Sequence, residues 1–112
     1  MPDYVDTRLR MRSTSEGRAS PIWPQPSEGR QYRPHLRVGN GEYLGVAFVS
    51  GPAILQPGDE GDVTLALIYA ETGVDYSGLQ PGATFVVVEG PNTVASGSVI
   101  RRYQSDRDWH VR

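Results

Sequence analysis

The sequence predicts an all-β protein, a small closed barrel of six antiparallel strands. No segment sustains an apolar repeat of 3.6 residues; apolar and polar residues instead alternate in runs of strand length. Thirteen glycines and nine prolines punctuate those runs, as turns punctuate an all-β chain. Six such runs fit into the chain, and closing them into a barrel leaves no strand edge exposed. At 112 residues the chain suits one domain. A chain of this size buries roughly 60–70% of its unfolded surface, enough for one modest core.

The first strand is predicted over residues 4–12, with Val5, Thr7, Leu9 and Met11 on one face and Asp6, Arg8, Arg10 and Arg12 on the other. Residues 13–31 form a long loop containing Pro21, Pro24 and Pro26, too polar and proline-rich for a core element, with Trp23 exposed or half-buried. The second strand covers residues 32–38 and stops at Gly39-Asn40-Gly41, a tight-turn signal. The third covers 43–50, with Leu44, Val46 and Phe48 on one face and Ala47 and Val49 on the other. "LQPGDEGD", residues 55–62, reads as a Pro-Gly turn with an acidic tip. The fourth strand, 63–69, is apolar on both faces and therefore central. A helix-free connection with another Pro-Gly turn leads to the fifth strand, 83–89, a turn at 90–92, and the sixth strand, 93–101. Ala95, Ser96, Gly97 and Ser98 in the last strand leave room for a close neighbour. The barrel domain is expected to span 1–101, and 102–112 to form a loosely held polar tail that Trp109 could anchor.

There is no cysteine, hence no disulfide framework and no thiolate metal site. The N-terminus has no apolar signal-peptide core and no apolar run approaches membrane-span length, so a soluble cytoplasmic protein is expected. A net charge of −2 argues against a dedicated nucleic-acid binder. The charges are unevenly spread. Residues 1–40 hold seven arginines against four acids, residues 41–100 hold seven acids and no arginine, and residues 101–112 hold four arginines against two acids. Folding the basic ends onto the acidic middle would neutralise both. All basic residues but the two histidines are arginine, whose planar fork suits carboxylates and phosphates.

His35 and His110 are the only histidines, and no G-x-S-x-G or base-orienter spacing accompanies them, so hydrolysis is not expected. "DEGD", residues 59–62, offers oxygens to calcium but lacks an EF-hand ligand series, and reads as a solvated acidic turn. No metal or other cofactor is expected. Trp23 and Trp109 are either interface anchors or closures of the two barrel ends. "EGRQYRPHLRV", residues 28–38, crowds arginines and His35 around Pro34 at the mouth of a strand.

Four stretches carry a family resemblance: "YVDTRLRMRSTSEGRASP", "GRQYRPHLRV", "LQPGDEGDVTLALI" and "GATFVVVEGPNTVASGSVI". In order and spacing they resemble the C-terminal β-barrel, domain III, of elongation factor Tu and related translational GTPases, from Tyr4 to Arg101. No phosphate loop of the form G-x-x-x-x-G-K-[ST] exists in a chain without lysine, so a stand-alone end barrel that binds no GTP is expected. In the family this barrel touches the T-stem of tRNA. The resemblance places Arg18, His35, Gly41, Tyr69, Glu89 and Gly90 at contacting positions. Ala19, however, replaces a histidine, His35 a glutamine, Gly41 a threonine, Tyr69 stands near a lysine, and Val88 replaces an arginine. Loss of cationic contacts weakens phosphate affinity. Arg33 and Pro34 match residues kept at the barrel mouth; Arg33 is expected either to pair with Asp59 or Glu89, or to join Arg18, Arg30 and Arg37 in phosphate recognition.

The resemblance therefore implies a non-enzymatic binding module. In the family the barrel packs on other domains, and a lone copy would expose those surfaces to a protein partner or to itself. Trp23, strand residues 95–98 and the tail with Trp109 are candidate contacts. The alternatives are an RNA- or tRNA-binding module or a decoy of the elongation factor. No membrane contact is expected. Arg18, Trp23, Arg30, Arg33, His35, Arg37, Glu89 and Gly90 are the candidate binding residues.

Overall fold

β1, Asp3–Met11, keeps the predicted alternation: Val5, Thr7, Leu9 and Met11 point into the core while Arg8 and Arg10 stay exposed. It lies between β4, Glu60–Leu67, and β6, Asn92–Gln104, antiparallel to both. With β2, His35–Arg37, β3, Leu44–Ser50, and β5, Thr84–Glu89, these strands close a barrel in the order β1-β4-β3-β2-β5-β6. The computed structural model describes residues 1–27 and 29–109; Glu28 and residues 110–112, including His110, lie outside the described residues. No helix among the described residues is long and apolar enough to cross a membrane.

The core is the barrel interior, filled by Val5, Leu9, Val46, Phe48, Leu65, Val87 and their neighbours. Thr7 is the buried polar residue within it, and its hydroxyl donates to the Val63 carbonyl at 3.0 Å. Gly97 allows β6 to pass close over Phe85. A Cβ there would come within 2.6 Å of the Arg8 carbonyl oxygen and 2.8 Å of the Phe85 ring. This is the small-residue close approach expected of the sixth strand, and its neighbours are β1 and β5.

Several boundaries differ from the sequence prediction. β2 is three residues rather than seven. Pro34 has no N–H to give a ladder; its carbonyl accepts from Val46 N–H, and that of Tyr32 from Phe48 N–H. β4 begins at Glu60, inside the segment expected to be a solvated acidic turn. Glu60 faces Arg10 and Asp62 faces Arg8 across the β1–β4 ladder, and Arg8 binds Asp62 at 3.1 Å and Glu60 at 3.3 Å. Opposite charges facing each other stabilise a strand pair, so the acids extend the strand. Here the basic N-terminal segment does neutralise the acidic middle. One 3-10 turn, Ala70–Thr72, interrupts the helix-free connection.

The loop 13–31 also contributes to the core, contrary to its polar composition. Ile22 is 1% exposed and exchanges two backbone hydrogen bonds with Leu55, at 3.0 and 2.9 Å. The tail is not loose at its start. β6 continues through Gln104, and Arg102 is clamped between the Asp3 carboxylate at 3.2 Å and the Tyr76 carbonyl at 2.7 Å. A second apolar cluster lies on the outer wall of the barrel, built from Tyr4, Ala47, Val49 and Ala66, with Ile68, Tyr103 and Trp109 packed against it. Trp109 therefore packs on the wall of the barrel.

Candidate functional site

The sequence-predicted residues fall into two groups. The first surrounds the segment 30–33, where the loop returns to the barrel. Tyr32 packs its ring on Phe48, with centroids 4.9 Å apart, and so reports into the core. Its hydroxyl hydrogen-bonds the Glu89 carboxylate at the end of β5. The same carboxylate oxygen accepts from Arg18 Nη1 at 2.5 Å. Arg18 is held further by the carbonyl and hydroxyl of Ser20, at 3.0 Å each, and its guanidinium lies 5.6 Å from the Tyr32 ring centroid. Burial, then the Glu89 carboxylate, push the Tyr32 phenol well above its ordinary pKa, against the opposing Arg18 charge. The phenol stays protonated and donates. Burial likewise raises Tyr4, Tyr76 and Tyr103.

This arrangement corrects the expectation for Arg33. Glu89 is taken by Arg18, and the Asp59 carboxylate accepts from the backbone N–H of Gln56. Arg33 instead donates twice to Gln31 Oε1, at 3.2 and 3.0 Å, and stacks over Trp109 at 5.2 Å. Arg30 stacks over Trp23 at 5.1 Å. Gln31 braces the Arg33–Trp109 stack: its amide donates to the carbonyls of Phe48 at 3.1 Å and Trp109 at 2.7 Å. Sequence reading missed Gln31, Tyr32 and Ser20, because an isolated glutamine or tyrosine carries no motif. Beside Trp23 is a hollow of about 230 Å³ lined by Ile22, Trp23, Tyr32, Gln31 and the two guanidiniums of Arg18 and Arg30. Trp23 is 39% exposed there.

The second group lies on β2 and the turn after it. His35 is exposed, faces Gly45 on β3 and Val88 on β5, and has the Tyr43 ring 6.2 Å away. Arg37 donates to the Gly41 carbonyl at 2.9 Å and lies over Tyr43 at 5.3 Å. Tyr69 leans on Gly45, where a Cβ would meet its ring at 2.6 Å. Tyr43 and Tyr69, both about half exposed, thus form an aromatic surface next to His35 and Arg37. Gly90, at a φ of +57°, makes the β5–β6 turn beyond Glu89, a backbone shape that favours glycine.

Chemically the first group offers apolar and cationic surface held rigid by a carboxylate. No known protein family matches the sequence, and no curated protein matches it.

Proposed function

We propose that the chain is a non-enzymatic binding module that engages a protein partner, or a further copy of itself, around the Trp23 hollow. The carrying observation is the half-exposed Trp23 under the Arg30 guanidinium, beside a preformed apolar hollow floored by Ile22 and Tyr32. Tryptophan and arginine are the residue types that concentrate binding energy at interfaces. Gln31 and the Arg18–Glu89–Tyr32 cluster hold the hollow in shape, which lowers the ordering cost of binding. The resemblance to domain III of elongation factor Tu, a barrel that packs on other domains in its family, supports the same reading.

A second reading, RNA binding, is favoured by the Tyr43 and Tyr69 surface beside His35 and Arg37, since exposed aromatics next to arginine stack bases. Against it, Arg18 is consumed by Glu89. Light scattering on the purified chain, with and without bulk tRNA at low salt, tests both. A dimer that ignores tRNA, and that is lost in Trp23→Ala, is the expected result. A monomer that shifts onto tRNA, and is released as salt rises, overturns the protein-binding reading in favour of RNA.

A further inference from the structure

The outer-wall cluster has a built shape. Along one cross-strand row, Tyr103 on β6, Tyr4 on β1, Ala66 on β4 and Ala47 on β3 stand side by side. Two tyrosines, their rings stacked at 5.8 Å, give way to two alanines, and the step between them is a shelf on which Trp109 packs. All four shelf residues except Tyr103 are buried, although they point away from the barrel interior. What reaches this shelf is the segment 105–109, which leaves the end of β6 as a strap.

The strap is held at its backbone. Ser105 N–H donates to the Pro2 carbonyl at 3.2 Å, the Tyr4 hydroxyl donates to the Arg107 carbonyl at 2.5 Å, and Gln31 donates to the Trp109 carbonyl. Two side chains stack: the Arg107 guanidinium over Tyr4 at 5.5 Å, and the Trp109 ring under Arg33 at 5.2 Å. Main-chain acceptors fixed by side-chain donors, with alternate side chains in stacking sites, is how a wall reads an extended peptide. Each of these contacts joins the strap to parts of the chain other than the strand it continues.

We propose that this outer wall is a peptide-recognition site for the pattern Arg-x-Trp, and that its occupant in trans is the same strap, residues 105–109, of a second copy of this chain. Exchange moves only a short polar connection after Gln104, and it remakes the same bonds between chains. The inference rests on the protein-binding reading above and names one way in which copies meet. In cis the strap is favoured by its high effective concentration, so exchange grows with protein concentration.

The probe is a synthetic peptide of residues 105–112, titrated into the full chain carrying Trp109→Ala, whose shelf is empty. Saturable binding is expected, at least tenfold tighter than to the wild-type chain, whose own strap competes; a peptide with Trp109→Ala should not bind. Circular dichroism establishes that the variant is folded. Adding Arg33→Ala to the Trp109→Ala chain, which removes the guanidinium that stacks on the peptide's Trp109 without touching the core, should weaken peptide binding. Full-length Trp109→Ala mixed with Ala47→Arg, which blocks the shelf but keeps its strap, should give a species of twice the single-chain mass. Absence of saturable binding by the folded Trp109→Ala chain, or binding that Arg33→Ala leaves unchanged, overturns the site. Binding without a mixed dimer overturns the exchange. A homodimer that survives Trp109→Ala but not Trp23→Ala overturns the exchange while leaving the protein-binding reading in place.

Discussion

Arg18 and Glu89, from opposite halves of the chain, meet at 2.5 Å with only 23% and 33% of their side chains exposed. The pair ties the long loop to the end of β5, and the Tyr32 hydroxyl shares the same carboxylate oxygen. A ligand phosphate aimed at Arg18 would therefore have to compete with a neighbouring carboxylate already in place. Glu89→Ala should strand a half-buried guanidinium and a buried phenol hydroxyl, and cost about 2–3 kcal/mol. Thermal unfolding should fall by about 10 °C for a domain of this size. In Glu89→Gln the carboxylate charge is gone while the shape persists. Binding of an anionic probe such as bulk tRNA at low salt should then rise, and an unchanged titration would show that Arg18 is not what limits it.

The cluster also sets a pH dependence. Tyr32 is raised above its ordinary value by burial and by Glu89, so the folded chain holds its phenolic proton when the unfolded chain has released it. Above about pH 10 the unfolded state then binds fewer protons than the native state, and stability falls as pH rises. Tyr4, Tyr76 and Tyr103 add in the same direction. Below pH 9 these groups contribute no slope. Urea unfolding at pH 9 and pH 11 should show the loss, and Tyr32→Phe should reduce it. An equal loss in wild type and Tyr32→Phe would place the dependence elsewhere.

What could be read from the sequence follows from how local each signal is. The alternation of β1 and the two faces of β3 were legible because each side chain's direction depends only on its parity. The start of β4 was not, since Glu60 and Asp62 look like turn residues until Arg10 and Arg8 are placed opposite them. The short β2 could have been read, because Pro34 lacks the donor that a paired strand needs. Among the candidate residues, Arg18 and Glu89 were named separately, but their pairing crosses the whole fold and no spacing reports it. Gln31 and Tyr32 gather the site by hydrogen bonds to Trp109 and Glu89, contacts that exist only after closure.

Gly97 provides a test of the barrel itself. Its missing side chain lets Phe85 and the Arg8 carbonyl come within reach of one another across β6. Gly97→Ala would place a carbon 2.6 Å from a backbone oxygen that two ladders hold in position. Overpacking of this kind costs about 1–3 kcal/mol, and chemical denaturation should show a lower midpoint with an unchanged slope. The same substitution at Gly58, where nothing lies within 4 Å but φ is +89°, acts through backbone strain alone. It should cost less, about 1 kcal/mol. Equal effects at the two sites would mean that β6 can shift to accommodate the methyl group.

Two arginines on neighbouring strands separate exposed from protected charge. Arg8, with its side chain 51% exposed, sits in the surface ladder with Asp62 and Glu60. Arg102, at 22%, joins a 16%-exposed Asp3 and the Tyr76 carbonyl, and Gln104 holds the other Asp3 oxygen at 2.9 Å. Water and salt screen the first set, and such pairs contribute little. Removing one partner of the second leaves a carboxylate and a carbonyl poorly solvated, at a cost of about 2 kcal/mol. Arg102→Ala should therefore lower the melting temperature by several degrees at both 20 mM and 500 mM salt, at about the ionic strengths where the Debye length runs from ~20 Å to ~4 Å. Arg8→Ala should produce a small change at low salt that vanishes at high salt. If Arg8→Ala proved the more damaging at high salt, apolar contact made by its long stem would be the source of its stability and charge would not.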